Sequence, residues 1–585
     1  MSKQLLLGNE AFARGLWEAG CHFVSSYPGT PSSEITTSAG TYKELHAEWA
    51  PNEKVAAEAA VGASLAGARA FTAMKHVGLN VAADPLFTAS YTGVNGGLVA
   101  VVADDPGMQS SQNEQDSRHY AVAAKLPMLE PADSADCLAY TKLAFDLSER
   151  YDTPVLVRSS TRISHARTLA ETGPRQDVPV KPYKKDVAKW VMVPQNARPR
   201  HPIVERRVLA LTEYADTSGI NSIEWGGRKI GVIAAGTAYV YGREALGDSA
   251  SYLKLGMVYP LPEKLIREFA AGVDRLVVLE ELDDIIETHC KKLGLAAEGK
   301  NLFSFCGEYT PLDIRAKLLG QGSGSGDGED VSVRSTSCFS EADMPGRPPV
   351  LCPGCSHRAA FHVMGKMKLT VVGDIGCYTL GAAPPLSSMD LCLSMGAGVA
   401  SLHGFVLANP QLAKTTVGVV GDSTFWHSGL TGLLNIVYNQ SNATLVILDN
   451  DATGMTGHQD HPSTGKTLQG KAVPKVSIEE VCRGLGVKRV RIADPFDLEA
   501  FEAALTEELA VTEPSVVIAR RPCALLPGTP RGKPLAVDAA KCKGCGLCMK
   551  IGCPAVSLAA KKASIDPAIC AGCGLCKKLC KFDAM

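Results

Sequence analysis

Eight cysteines in the last 44 residues stand at two interlocking spacings, Cys542-x2-Cys545-x2-Cys548-x4-Cys553-Pro554 and Cys570-x2-Cys573-x2-Cys576-x3-Cys580. Thiolates two residues apart, separated by short Gly-containing turns, reach different irons of one cubane, and the fourth ligand of each cluster comes from the other run. The spacing therefore predicts one 4Fe4S cluster on Cys542, Cys545, Cys548 and Cys580 and a second on Cys553, Cys570, Cys573 and Cys576, and with them one-electron transfer. A disulfide framework or a pair of zinc knuckles would use cysteines as densely. The interlocked spacing, the flanking Gly544, Gly546, Gly572 and Gly574, and the absence of nearby histidines argue against zinc. Two features depart from the usual arrangement: the longer gap before Cys553, and Lys581 rather than proline after Cys580.

A second constellation lies upstream. Thr416-Val417-Gly418-Val419-Val420 reads as a buried strand that ends in Gly421-Asp422-Ser423, and Leu445 to Leu448 as another that ends in Asp449-Asn450-Asp451. Two parallel strands would deliver the Asp422 carboxylate and the Asn450 amide, 28 residues apart, to one carboxyl edge of a sheet, where doubly wound folds bind phosphorylated ligands. Mg2+ takes a few oxygen ligands together with phosphate oxygens; Asp422, the Asn450 side-chain oxygen and the Ala452 carbonyl can supply them. Gly421, Ser423, Thr456, Gly457, His458 and Gln459 add amides and hydroxyls suited to a diphosphate. The pattern resembles the diphosphate motif of thiamine diphosphate enzymes, Gly-Asp-Gly followed further on by Asn-Asn, with Ser423 and Asp449 as departures. An ordinary strand-turn-helix is the competing reading.

Thiamine diphosphate is held between two α/β domains and needs a glutamate against N1′ of its aminopyrimidine to activate the thiazolium carbon. Glu58, at the head of a small-residue helix Glu58-Ala59-Ala60-Val61-Gly62-Ala63-Ser64, is the candidate. Upstream, Ser25-Ser26-Tyr27-Pro28-Gly29-Thr30-Pro31 turns from a strand end toward a capped helix start. Tyr27-Pro28-Gly29-Thr30-Pro31 resembles the Tyr-Pro-Ile-Thr-Pro motif of 2-oxoacid:ferredoxin oxidoreductases. Together with Glu58, the 421–459 motif and the terminal ferredoxin-type cysteines, it makes the whole chain similar to the alpha subunits of the indolepyruvate:ferredoxin oxidoreductase family.

The resemblance implies a multidomain α/β protein. A pyrimidine-binding domain would span 1–175, a transketolase C-terminal-like domain 205–318, a linker 319–346, a diphosphate-binding domain 347–530 and a 2x4Fe4S ferredoxin domain 535–585. It implies CoA-dependent oxidative decarboxylation of aryl 2-oxoacids such as indolepyruvate, giving an aryl-acetyl-CoA and CO2 with electrons passed to ferredoxin. The implied cofactors are thiamine diphosphate and Mg2+, and the implied partner is a small beta subunit in a heterotetramer of two alpha and two beta chains. It makes Thr30 and Arg118 candidates to hold the substrate's ketone and carboxylate; an arginine at 118 would serve equally as a salt-bridge partner. Cys352, Cys355, Cys377 and Cys523 follow the order of a third cluster beside the thiazolium in related oxidoreductases, and buried free thiols are the alternative. A pyruvate-type oxidoreductase is the runner-up, and a non-oxidative thiamine decarboxylase has no use for the eight ferredoxin-type cysteines.

The elements that must position these residues are legible as apolar runs alternating with small-residue helices, an α/β pattern with parallel strands. A polar, basic, Pro-rich passage from about Gln176 to Arg207 reads as a crossing linker, and Gly320 to Gly328 as a flexible one. The 585 residues carry a net charge of -2, which asks for neither nucleic acid nor a membrane surface. With 19 cysteines and no long apolar run, the expectation is a cytoplasmic protein of a reducing compartment.

Overall fold

The computed structural model describes residues 2–320 and 348–585; the linker expected at 319–346 lies, beyond its first two residues, outside them. The chain divides into two compact units, Met1–Asp327 and Gly328–Met585.

In the first unit, Phe23–Ser26, Ala70–Lys75, Leu98–Asp104 and Val155–Ser160 are apolar and largely buried, as strands covered on both faces must be. They form the parallel centre of a seven-stranded sheet in the spatial order 257–259, 128–129, 155–160, 98–104, 70–75, 23–26, 46–49. The helix Glu53–Leu65 packs on three of these strands. Ser2–Leu7 pairs antiparallel with Arg167–Thr172 beside it.

A second sheet has the order 297–298, 276–279, 231–235, 251–255, 222–224, parallel except for its last strand. The stretch 205–318 does not keep to itself: its strand Met257–Tyr259 pairs antiparallel with Met128–Leu129 of the first sheet. One apolar core then runs from Leu79 and Met128 to Ile233 and Leu253.

The passage read as a linker to Arg207 is helical over Pro194–Thr217, with Pro199 and Pro202 inside the helix. Proline normally ends such an element. Here Val204, Arg207, Leu211 and Ala215 form a buried stripe at helical spacing, and Arg207 donates to Ser90 O at 2.7 Å. Tertiary burial holds a helix whose local sequence opposes it.

The second unit is built on a six-stranded, all-parallel sheet in the order 391–392, 370–373, 416–421, 444–449, 515–520, 489–493. The chain moves outward from Thr370–Gly373 to Leu391–Cys392, then returns to Thr416–Gly421 and proceeds the other way. The reversal places a crevice at the carboxyl ends of strands 370–373 and 416–421, the position where open α/β sheets bind ligands. Apolar cores line both faces of this sheet. The terminal segment adds one hairpin, Val556–Ala559 with Lys562–Ile565, and a small core made in part of the cysteines themselves. Among the described residues no helix is long and apolar enough to cross a membrane.

Candidate functional site

Asp422 follows strand Thr416–Gly421 at the switch point and is 2% exposed. Its carboxylate accepts from Ser423 N at 2.8 Å and Asn450 N at 3.0 Å. One terminal atom of the Asn450 amide lies 3.2 Å from each Asp422 oxygen and 2.9 Å from Ala452 O. Turned with nitrogen inward, the amide donates to all three. Turned with oxygen inward, it stands from the Asp422 and Ala452 oxygens at distances close to the ~3 Å edge expected for neighbouring ligands of Mg2+ at ~2.1 Å. The donor chemistry and spacing fit the metal.

Asp449, which stands where the diphosphate motif has its first Asn, pairs with Arg520 Nε at 2.7 Å and is engaged within the sheet edge. Thr453 Oγ1 donates to Ser423 Oγ at 2.9 Å. Thr456 and Gln459 bond each other, Oγ1 to Oε1 at 2.6 Å and Nε2 to Thr456 O at 2.7 Å. These bonds hold the turn through Gly457 and His458, both at positive φ.

Asp374, His357 and His461, unremarked in the sequence, complete this crevice together with Tyr378. Asp374, just past its strand, accepts from Tyr378 Oη and from Gly396 N at 2.9 Å, and burial pushes its carboxyl up to about 7. His357 packs edge-on against Tyr378, and burial pushes its imidazole down to about 4, against the pull of Asp422. His461 Nε2 lies 3.3 Å from Asp422 Oδ2, an ion-pair contact without hydrogen-bond alignment. They come from the helix Ser356–Lys366, the connection after strand Thr370–Gly373 and the loop holding His461, so no single local motif announces them.

The four cysteines set apart at 352, 355, 377 and 523 gather around the same loops. Cys523 N donates to Asn450 O at 2.9 Å, its Sγ is 3.5 Å from His458 Nε2, and a Cβ on Gly454 would sit 3.3 Å from Cys377 Sγ. Burial pushes the thiols of Cys355 and Cys377 up to about 12 and about 11, and neighbouring thiolates add to the shift. None of the described cysteines is in a disulfide.

In the terminal segment, Cys542, Cys545, Cys548 and Cys580 line one cavity. A second is lined by Cys553, Cys570, Cys573 and Cys576. Each cavity draws cysteines from both runs. Gly544 and Gly572 have φ of +65° and +63°, and a Cβ on either would collide with the main chain opposite, at Lys561 O (2.0 Å) and Gly532 C (2.3 Å); the turns need glycine. Among the described residues no three His, Cys, Asp or Glu side chains converge on a single ion. A cubane spreads its thiolates over four irons, so the cavities suit a cluster better than a zinc ion.

In the first unit, Glu58 lies on the outer face of helix Glu53–Leu65. Its side chain is 48% exposed and bonded to Lys54 one turn back. Thr30 lies half-buried in the loop after Phe23–Ser26.

Arg118 differs from the substrate-carboxylate expectation. It is 1% exposed, and every guanidinium nitrogen is engaged. Asp116 accepts from Nε and Nη2 at 2.9 and 2.6 Å, Glu280 from Nη1 at 2.6 Å, and the carbonyls of Glu281 and Asp283 from Nη2. Those carboxylates hold its proton above the ordinary arginine range despite burial. The fork ties the loop after Leu98–Asp104 to the end of strand Leu276–Leu279. Arg118→Met would strand two buried carboxylates, and a loss of about 3–5 kcal/mol is expected in urea unfolding.

The cation beside the Thr30 loop is Lys75, at the end of Ala70–Lys75. It is 8% exposed, and a Cβ on Gly29 would lie 3.2 Å from its Cβ. Its Nζ donates to Ser110 O at 2.6 Å, and burial pushes the ammonium down to about 8, with Asp105 opposing. Next to it, His76 Nδ1 is buried without a hydrogen-bond partner.

Residues 14–217 match the family model described as pyruvate flavodoxin/ferredoxin oxidoreductase, thiamine diP-bdg. Residues 374–519 match that of thiamine pyrophosphate enzyme, C-terminal TPP binding domain. Indolepyruvate oxidoreductase subunit IorA of Archaeoglobus fulgidus is 41% identical over 99% of this chain and 96% of its own length. The chain belongs to this family of IorA subunits. The subunit of the same name from Pyrococcus horikoshii is 40% identical over 96% of this chain and 93% of its own. A 2-oxoglutarate:ferredoxin oxidoreductase structure from Magnetococcus marinus, with 2-oxoglutarate, coenzyme A and succinyl-CoA bound, is 18% identical. It covers 54% of this chain and 65% of its own, with a TM-score of 0.47. As a family member the chain is an oxidoreductase subunit with two thiamine diphosphate-binding domains.

Proposed function

We propose that the chain is the alpha subunit of an enzyme that converts an aryl 2-oxoacid, indolepyruvate or a related arylpyruvate, and CoA into aryl-acetyl-CoA, CO2, a proton and two electrons destined for ferredoxin. The observation that carries the reading is the crevice at the switch point of the second unit, where the Asp422 carboxylate and the Ala452 carbonyl gather within 3.2 Å of the Asn450 amide and Cys377 and Cys523 border the same loop. A non-oxidative decarboxylase needs the oxygens and not the thiols.

Thiamine diphosphate, when bound, supplies the nucleophilic carbon and the electron sink for decarboxylation. The chain's share is to hold the diphosphate through Mg2+ on Asp422, Asn450 and Ala452, with Gly421, Ser423 and the 456–459 turn around it. Glu58 would hold a proton at the aminopyrimidine N1′. The eight terminal cysteines would carry two 4Fe4S clusters, and Cys352, Cys355, Cys377 and Cys523 a third. Thr30 would meet the substrate ketone. With Arg118 committed to the fold, the Lys75 ammonium is the charge available to the substrate carboxylate. A separate beta subunit completes the enzyme, in a heterotetramer of two of each chain in the cytoplasm.

The test is anaerobic. The purified protein with its partner subunit, thiamine diphosphate, Mg2+ and CoA is followed by reduction of a low-potential dye with indolepyruvate, phenylpyruvate and pyruvate in parallel. Reduction by the aryl substrates alone is expected. Reduction by pyruvate would move the assignment to a pyruvate-type enzyme, and CO2 release without dye reduction would end the oxidative reading.

For Lys75, the change Lys75→Gln removes a charge-assisted hydrogen bond of about 1.5–3 kcal/mol. The KM for the 2-oxoacid should rise by about 10- to 100-fold with kcat less affected. The ammonium binds an anion only while protonated, so wild-type KM should climb as pH rises past about 8, a dependence the variant lacks. An unchanged KM in Lys75→Gln would remove the residue from the substrate site.

A further inference from the structure

Arg358 stands between the two cysteine groups of the second unit. It is 3% exposed, on the first turn of helix Ser356–Lys366. Its Nε donates to Cys352 O at 2.9 Å, its Nη1 to Ile551 O at 3.2 Å and also to Gly552 O, and its Nη2 to Leu351 O. All four acceptors are main-chain carbonyls. Among the described residues no carboxylate is hydrogen-bonded to it.

The guanidinium forms part of the wall of the Cys553, Cys570, Cys573 and Cys576 cavity, together with Gly354. A Cβ on Gly354 would lie 3.0 Å from Ala571 Cβ, so the turn between Cys352 and Cys355 packs directly on that cavity. The Cys542, Cys545, Cys548 and Cys580 cavity has no arginine in its wall.

A buried guanidinium with no carboxylate is costly, because neutral carbonyls satisfy its hydrogen bonds and not its charge. An iron-sulfur cluster held by four thiolates is net negative and gains one further negative charge on reduction. We propose that Arg358 is the shared counter-charge of two clusters, one on Cys553, Cys570, Cys573 and Cys576 and one on Cys352, Cys355, Cys377 and Cys523, and that it raises the reduction potential of both. The inference rests on the proposed clusters.

Arg358 is then a positioning residue in two senses. Its bonds to Leu351 and Cys352 on one side and to Ile551 and Gly552 on the other hold the two cysteine groups in fixed register. Its charge favours the arrival of an electron on either, because the attraction grows with each reduction step. The cluster on Cys542, Cys545, Cys548 and Cys580, away from the guanidinium, provides an internal reference.

The experiment uses the full enzyme, purified anaerobically with its partner subunit, in wild-type, Arg358→Gln and Arg358→Lys forms. Iron and sulfide are counted, and each cluster's midpoint is read by EPR-monitored redox titration, with signals assigned through Cys545→Ser and Cys573→Ser. In Arg358→Gln the two flanking clusters should become harder to reduce. A tenfold fall in their reduced-to-oxidised ratio at fixed potential corresponds to about 59 mV for a one-electron couple. The Cys542-group midpoint should stay in place, and Arg358→Lys should restore most of the shift. Unchanged midpoints at full iron content overturn the inference while leaving the clusters standing. Iron lost equally from the Gln and Lys variants overturns it in favour of a purely structural arginine. A wild-type enzyme without iron in these cavities overturns the cluster reading itself, a result the iron count separates from the other two.

Discussion

Asp422→Ala should yield a folded protein that no longer retains Mg2+ and thiamine diphosphate. In the native crevice the carboxylate is buried, receives two main-chain N–H groups and lies against the Asn450 amide. Alanine removes the only formal negative charge in the proposed oxygen set. Losing one partner of a buried charge contact costs about 3–5 kcal/mol, or about 10^2- to 4 × 10^3-fold in affinity at 1.4 kcal/mol per tenfold. A calorimetric titration of the apo variant with thiamine diphosphate and Mg2+ measures this directly, and dye reduction at ordinary cofactor concentrations should fall to background. Asp422→Asn keeps the shape and one oxygen and should lie between. Wild-type cofactor affinity in Asp422→Ala would sink the assignment of this crevice.

Glu58→Gln should separate cofactor binding from activation. The side chain is half exposed and bonded to Lys54, so glutamine is tolerated without repacking and thiamine diphosphate affinity should stay near wild type. A carboxylate placed to hold a proton at the aminopyrimidine contributes about 10^2- to 10^4-fold as a general acid-base group. The rate of dye reduction should drop by that factor at saturating substrate, and deuterium exchange at the thiazolium C2 position should slow in parallel. A full rate in the variant would shift the role to another acid, and Glu53, buried at the start of the same helix, would be the next to replace.

Chemistry written in contiguous sequence was legible without a structure. The grouping of the terminal cysteines is such a case, because thiols two residues apart on glycine turns are positioned by the local chain, and turns like those at Gly544 and Gly572 admit only glycine. The strands ending at Asp422 and Asn450 are another: each is a continuous apolar run buried on both faces, so composition alone marks its end and the parallel α/β class follows. The resemblance made Arg118 a candidate for the substrate carboxylate, yet Glu280 and the carbonyls of Glu281 and Asp283 arrive from more than 160 positions away, and only the packing of the two sheets brings them in.

The same physical reason governs the remainder. The helix over Pro194–Thr217 exists because a buried stripe outweighs two internal prolines, and Met257–Tyr259 joins a sheet begun far upstream because that edge is open to it. Lys75, His76, Asp374 and His357 look ordinary as letters; burial gives each its unusual proton affinity or its unpaired atom. The amino-acid sequence by itself determined the family, the class of fold and the residue types able to carry the cofactors, since these are encoded in spacing and periodicity. Tertiary structure alone decided which charges are spent on holding the fold and which, like Arg358 and Lys75, stand buried without a carboxylate bonded to them, because the free energy of a charge is set by what surrounds it and not by what precedes it in the chain.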